Sequence, residues 1–155
     1  MRFRLLLVAL LAWTGVGFVS GSSMAAEPAK SSPAKLQVQL LWGTTNSVSP
    51  DPKHKPVDAD VAKKLKQLPL KWPNYFVVNK KNVEVAPGAA KKEPISEKCA
   101  IEVKDLGKSQ FEISLFGNGK NAGKHIQAFP VGEILALGGN APNETSWLVV
   151  VKRVK

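Results

Sequence analysis

The stretch Leu68–Val85, which reads LPLKWPNYFVVNKKNVEV, joins the best helix pattern of the chain to a run of strand patterns. It places Trp72, Tyr75 and Phe76 within five positions. Aromatic side chains bury the most area per residue, so a small domain tends to collapse around such a cluster. We therefore expect the fold to be organised about this segment.

A short amphipathic helix is predicted immediately before this segment. Val61, Leu65 and Leu68 are spaced at i, i+4 and i+7, which places them on one face of a helix. Asp58 is a residue type that favours helix N-caps, and Pro69 ends the pattern. A helix of this length is marginal by itself, so we expect its apolar stripe to dock on a sheet.

Strand patterns occupy most of the remaining chain. In them apolar and polar residues alternate, as expected where one face of a strand is buried. Clusters of Gly, Pro, Asn and Asp separate them, including a predicted turn at Asn79–Asn82 and a glycine-rich loop at Gly138–Asn143. We expect a mainly β fold, a small antiparallel β-sandwich or barrel-like domain with one short α-helix near the N-terminal side. The predicted strands are Lys35–Gly43, Tyr75–Val78, Val83–Val85, Cys99–Val103, Phe111–Leu115, His125–Phe129, Glu133–Leu137 and Trp147–Val154.

The N-terminal segment has the layout of a secretory signal peptide. Arg2 and Arg4 precede an apolar run over Leu5–Trp13, and the small residues of Ser23–Ala26 form a cleavage site. The alternatives are an uncleaved membrane anchor, for which the run is short, and translation from Met24. We predict that the signal peptide is cleaved.

The sequence therefore divides into three parts. We assign residues 1–26 to the signal peptide, 27–35 to a Pro-rich flexible linker and 36–155 to a single β-rich domain. The cleavage site has no cysteine to carry a lipid anchor, and no second apolar run is long enough to span a membrane. We expect a periplasmic or secreted protein.

Cys99 is the single cysteine, which rules out an intrachain disulfide. It alternates with Ile101 and Val103, so we expect a small buried side chain on the core face of its strand. The alternatives are a reactive thiol and a bridge to another chain.

The sequence lacks the motifs of the common catalytic and metal sites. His54 and His125 are the two histidines, and we expect both to be solvated. The glycines of 117–120 and 138–140 precede no helical pattern, so we interpret them as hairpin loops rather than phosphate loops. We expect no metal and no cofactor. The one catalytic arrangement to weigh is a Cys99–His125 pair, which a small hydrolase would require.

The charge favours anionic partners. The full chain carries a formal charge of +10, and loss of Arg2 and Arg4 with the signal peptide lowers it to +8. Nearly all of the remaining basic residues are lysines, which lack the planar fork used to recognise phosphates and bases. We therefore expect no specific nucleic-acid recognition, and an anionic polysaccharide or an envelope protein as partner.

The predicted contact residues lie in loops. Trp72 stands between Lys71 and Pro73 in a connector, which makes it the best candidate for an exposed aromatic contact. The proposed binding residues are Lys71, Trp72, Asn74, Tyr75 and Asn140.

Two further loops and two further tryptophans complete this prediction. The loop Thr44–Pro56 is polar and long for a structureless connection, so it is either mobile or a binding loop. Together with the connector and the Gly138–Asn143 loop it forms the expected contact surface. Trp42 and Trp147 lie at strand ends, where we expect core or edge packing.

Several segments resemble small exported bacterial proteins of unassigned function. They are QLLWGT at 39–44, LKWPNYFVVN at 70–79, the turn at 130–133 and the strand that begins at Trp147. The resemblance implies a bacterial envelope setting and carries no chemistry. We expect an exported non-enzymatic accessory or protein-binding domain of the cell envelope. The alternatives are a carbohydrate or anionic-polymer binding module and a small hydrolase.

Overall fold

The computed structural model describes residues 32–141 and 145–155. The predicted signal peptide lies outside these residues, as does most of the predicted linker. Ala34 and Lys35, which the sequence assigned to the linker, are the first residues of a strand. The elements in chain order are β1 Ala34–Thr44, β2 Lys55–Pro56, α1 Ala59–Lys66, β3 Asn74–Val85, β4 Ala90–Pro94, β5 Cys99–Gly107, β6 Gln110–Gly117, β7 Lys120–Ala128, β8 Ile134–Asn140 and β9 Ser146–Arg153.

The strands form two antiparallel sheets. Sheet A has the order β2-β3-β1-β9-β8, and sheet B has the order β4-β5-β6-β7. The prediction of a mainly β, antiparallel fold with one short helix near the N-terminal side is confirmed. Neither sheet closes on itself, so the fold is a sandwich and not a barrel. Among the described residues, no helix is both long and apolar enough to cross a membrane.

The first core cluster fills the space between the two sheets. Val38 and Val149 of sheet A pack there with Ile101 and Ile113 of sheet B, all essentially inaccessible to solvent. Phe129, which follows β7, is also fully buried, and its ring meets that of Phe111 edge to face at 6.3 Å. The alternation that the sequence shows in β1, β5 and β6 supplies this cluster.

The second core cluster lies on the opposite face of sheet A, beneath α1. Val61 and Leu65 of the helix pack there with Leu41, Leu148 and Val150. The predicted docking of the helix stripe is therefore confirmed. Because sheet A is covered on both faces, its inner strand β9 is buried over four consecutive residues and does not alternate.

The segment Asn79–Asn82, predicted as a turn, is part of the continuous strand β3. The pairing with β1 shifts at one point, where Leu40 faces Asn79 and Leu41 faces Val77. The residue between, Val78, is the extra residue of a β-bulge. The polar residues that follow suit the interior of this strand because Lys80 reaches Asp58 before α1 and Lys81 reaches Glu93 of β4.

Other sequence assignments also change in the sheets. The basic C-terminal strand has the lysines that are typical of a sheet edge, but β9 lies between β1 and β8. Its basic side chains have partners, because Lys152 binds Asp60 and Arg153 donates to the carbonyl of Phe129. Strand β4 was missed because its residues do not alternate and it pairs through its backbone at an edge.

The start of the predicted Gly138–Asn143 loop belongs to β8, which continues to Asn140. A side chain at Gly138 would collide with the backbone oxygen of Trp147, so glycine is needed there for close strand approach.

Candidate functional site

An open cleft of about 880 Å³ lies between the two sheets at one end of the sandwich. The chain passes from β7 to β8 through Phe129–Glu133, where the buried Phe129 closes the gap between the sheets. The start of β7 and the end of β8 therefore lie together at the opposite, open end. We call this space the intersheet cleft.

The floor of the intersheet cleft is the end of the first core cluster. Leu40 and Val149 of sheet A and Leu115 of sheet B line it, together with Leu137 of edge strand β8. The floor therefore offers an apolar surface that is continuous with a packed, rigid core. A ligand bound there would gain from burial of its own apolar groups.

Glycines form much of the cleft walls. Gly117 and Gly123 of sheet B and Gly139 of sheet A all line the cleft. A Cβ atom at any of the three would meet nothing within 4 Å, and none of the three has positive φ. Glycine within a strand weakens it, and often marks a place where a ligand or another backbone approaches closely. These positions leave the cleft wide without a conformational requirement for glycine.

An aromatic row leads across sheet A to the mouth of the cleft. Trp147 lines the cleft and is 45% exposed, so of the two predicted settings, core packing and edge packing, the first does not apply to it. Trp147 of β9 pairs across the sheet with Trp42 of β1, and Trp42 pairs with Phe76 of β3. The ring centroids of Trp42 and Phe76 are 6.2 Å apart. The row presents aromatic surface beside the apolar floor.

His54 orders the loop beside this row. Its Nδ1 lies 2.8 Å from the hydroxyl of Ser49, and its ring lies 6.1 Å from that of Trp42. The side chain is only 14% exposed, so the prediction of a solvated histidine is wrong. The long polar loop thus has an ordered end, which includes the short strand β2.

Charged groups stand at the rim of the cleft. Lys124 pairs with Glu112 at 3.0 Å, whereas Lys98 makes no salt bridge within the described part of the chain. Glu97 is the acidic residue of the rim. His125 is exposed, as predicted, and its Nε2 lies 3.0 Å from Gln127 Oε1.

Cys99 and His125 both line the cleft but do not form a pair. Strand β6 lies between the two residues: Cys99 of β5 pairs with Gly117 of β6, and His125 of β7 pairs with Ile113 of β6. Four residues along the sheet and two strand spacings across it separate them by roughly 16 Å. Cys99 is half-buried rather than fully buried, and burial raises the pKa of its thiol, which favours the protonated form.

The residues predicted to bind from the sequence do not form one cluster. Lys71 is exposed and Trp72 is half-buried. The side-chain amide of Asn74 donates to the carbonyl of Thr45 at 3.3 Å. Tyr75 packs against the second core cluster, where burial raises its pKa and the backbone of Trp72 opposes that shift.

Asn140 lies apart from the other predicted residues. It pairs with Ser146 of the neighbouring strand β9. Ser146 pairs with Gly43 of β1, and Gly43 pairs with Tyr75 of β3. Three strand spacings, about 14 Å, therefore separate Asn140 from Tyr75. The structure brings together the connector residues and leaves Asn140 at the opposite edge of sheet A.

Sequence reasoning missed the residues that shape the cleft. Gly117, Gly123 and Gly139 were interpreted as parts of turns, although each lies in a strand. The sequence did contain a usable pattern: Gly117 and Gly139 each follow a core-facing leucine, Leu115 or Leu137, by two residues and so lie on the same strand face. The pattern is recognised only if the strands are known to extend that far, and glycine itself suggests that a strand has ended.

Comparison of the chain with protein-family models, curated proteins and solved structures found no match. Within the described ranges, no group of three or more His, Cys, Asp or Glu side chains is arranged to hold a metal ion.

Proposed function

We propose that this protein is an exported, non-enzymatic binding domain of the bacterial cell envelope and that its ligand occupies the intersheet cleft. The cleft is the observation that supports the proposal, because it combines an apolar floor, three wall glycines with open space around them and an exposed tryptophan. Its volume of about 880 Å³ lies in the range of ligand-binding clefts, roughly 300–1,000 Å³. The signal-peptide pattern of residues 1–26 supports export.

The groups in the cleft favour binding over covalent chemistry. The thiol of Cys99 lies in a setting that raises its pKa, and the separation from His125 removes the base that would activate it. The small-hydrolase alternative therefore has no support from this pair. The apolar floor instead provides affinity, and the rim provides orientation.

Trp147 fluorescence provides the direct test. The mature domain would be titrated with apolar peptides, with detergent monomers and with neutral and anionic polysaccharides. A cleft ligand should produce a saturable change that Trp147→Phe removes and Gly123→Leu abolishes, because leucine would fill the cleft from a position with open space around it. A response that survives Gly123→Leu unchanged would place the ligand elsewhere and contradict the proposal.

A polysaccharide-binding module is the second candidate, because an aromatic row lies on a sheet face of a basic protein. Trp147, Trp42 and Phe76 would supply stacking surfaces, rather than the predicted Trp72 and Tyr75. On this alternative, Trp147→Ala should weaken polysaccharide binding while Gly123→Leu leaves it unchanged. Trp72→Ala is the matched control for loss of a tryptophan outside the row.

A further inference from the structure

The two sheets have four edge strands, and three of them carry features that discourage pairing with another chain. Edge strand β2 has two residues, one of which is Pro56, and the part of β3 that it leaves unpaired has two lysines and a β-bulge. Edge strand β4 carries Lys91, Lys92 and Pro94. Edge strand β7 carries lysines and a register irregularity opposite Leu115 and Phe116. Charges, prolines, bulges and short length are the usual protections of a sheet edge.

Edge strand β8 has none of these protections. Its sequence over Ile134–Asn140 is ILALGGN, which contains no charged residue and no proline. Its register with β9 runs without a shift from Ile134 opposite Lys152 to Asn140 opposite Ser146. A long, apolar, regular edge is a template for another strand. Within the described residues, β9 is the only strand that pairs with it.

The unprotected edge borders the intersheet cleft. Leu137 and Gly139 of β8 line the cleft, while Ile134 and Ala136 belong to the cluster under α1. A strand that paired with β8 would direct alternate side chains into the cleft, because successive side chains point to opposite faces of a sheet. The open space at Gly139, and at Gly123 on the facing wall, would receive them.

We propose that the ligand of the cleft is an extended peptide segment of a partner protein, which adds to β8 as a sixth strand of sheet A. This inference rests on the proposed function and names its ligand class. Main-chain hydrogen bonds to β8 supply affinity, and alternate apolar side chains in the cleft supply specificity. Lys98 and its neighbour Glu97 lie at the rim, each without a salt bridge among the described residues, so that a charged residue beside the segment would meet a side chain of opposite sign.

The test uses synthetic peptides matched to the seven residues of β8. One series alternates Val or Leu with Ser or Thr and carries an acidic end. A control series has the same composition with its apolar residues contiguous. Binding would be measured by titration calorimetry, and amide hydrogen exchange would be followed in β7 and β8. We expect the alternating series alone to bind and to slow exchange in β8 by at least about tenfold.

Two lysine substitutions separate edge pairing from general charge effects. Gly139→Lys places a charge on the β8 edge at a position with open space. Ala128→Lys adds the same charge to the exposed end of β7, outside the cleft. We expect Gly139→Lys to weaken the alternating peptide at least about tenfold, and Ala128→Lys to leave binding unchanged.

The remaining outcomes distinguish a failure of strand addition from a failure of the proposed cleft function. Peptide binding without slower exchange in β8 would overturn strand addition. A dimer that Gly139→Lys dissociates, without peptide binding, would identify a second copy of this chain as the occupant and overturn the partner-peptide proposal. A Trp147 response confined to detergent or polysaccharide would overturn strand addition and leave the proposed cleft function intact. Absence of any response to all ligand classes would count against both.

Discussion

At the scale of single residues, Gly43 of sheet A and Gly123 of sheet B have opposite roles. A Cβ atom at Gly43 would collide with the hydroxyl of Ser146 and lie 2.7 Å from Cε1 of Tyr75. At Gly123 the corresponding space is open. The first glycine therefore allows close packing under the helix-covered face, and the second leaves room in the cleft.

Alanine substitutions should reveal this difference. We expect Gly43→Ala to destabilise the domain by about 1–3 kcal/mol, because the backbone or the neighbouring side chains must shift. Gly123→Ala should leave stability unchanged or raise it by about 0.5–1 kcal/mol, because alanine suits a strand better than glycine. Urea denaturation monitored by circular dichroism measures both. Equal midpoints for the two variants would contradict the assigned roles.

Cys99 provides a second prediction at this scale. Burial raises the pKa of its thiol, so the thiolate fraction at neutral pH is smaller than for an exposed cysteine. We expect iodoacetamide to react slowly with the folded domain at pH 7 and faster as the pH rises. The urea-unfolded chain is the control and should react faster at every pH. Equal rates for both forms near neutral pH would exclude the protected setting.

At the scale of elements, α1 is attached to sheet A by charges as well as by its apolar stripe. Asp58 occupies the N-cap position, but its carboxylate accepts from Lys80 at 2.8 Å instead of capping the helix. Asp60, in the first turn, binds Lys152 of β9. The hydrogen bond from Lys80 lowers the pKa of Asp58, and that from Lys152 lowers the pKa of Asp60.

These shifts predict a pH-dependent stability. A carboxyl with a lowered pKa in the folded state stabilises the fold above its ordinary pKa of 3.8, and this contribution is lost as the pH falls through the folded-state value. Both side chains are almost half exposed, so each pair contributes at most about 1 kcal/mol. The double variant Asp58→Asn/Asp60→Asn should be less stable than wild type at pH 7, and the difference should shrink towards pH 3.

Denaturant midpoints across this pH range measure the effect. Glu84→Gln is the matched control, because Glu84 pairs with Lys35 at 3.9 Å on the surface without contacting the helix. It should change stability little at either pH. A deficit in the double variant that persists undiminished at pH 3 would show that charge is not its cause.

At the scale of the whole molecule, the two ends of the sandwich differ in the burial of their aromatic residues. At one end Phe129 is fully buried between the sheets, and its N–H donates to the backbone carbonyl of Ser109 at 2.7 Å. At the other end, which holds the intersheet cleft, Trp147 is 45% exposed. The buried ring therefore packs the two sheets together, whereas the exposed ring is available to a ligand.

Removal of each aromatic ring tests this division. Phe129→Ala should cost about 3–5 kcal/mol of unfolding free energy, because it leaves a cavity between the sheets. Trp147→Ala should cost clearly less, since a large part of the ring is already exposed, while it should weaken ligand binding in the cleft. Thermal and urea denaturation compare the two. A loss from Trp147→Ala as large as that from Phe129→Ala would mean that Trp147 is structural.

The sequence alone determined the fold class, because alternation is a local signal that survives without tertiary context. Phe111, Ile113 and Leu115 alternate as expected, and Val61 and Leu65 form the predicted helix stripe. These patterns require only that one face of each element be buried. They do not state which elements become neighbours.

Tertiary structure alone decided which faces meet and where space remains. The stretch Asn79–Asn82 has turn-like composition, yet pairing with β1 and salt bridges to distant residues keep it in a strand. Gly117, Gly123 and Gly139 come together only when the two sheets pack, since they lie in three different strands. A cleft is a property of the distance between sheets, and no local pattern of residues encodes that distance.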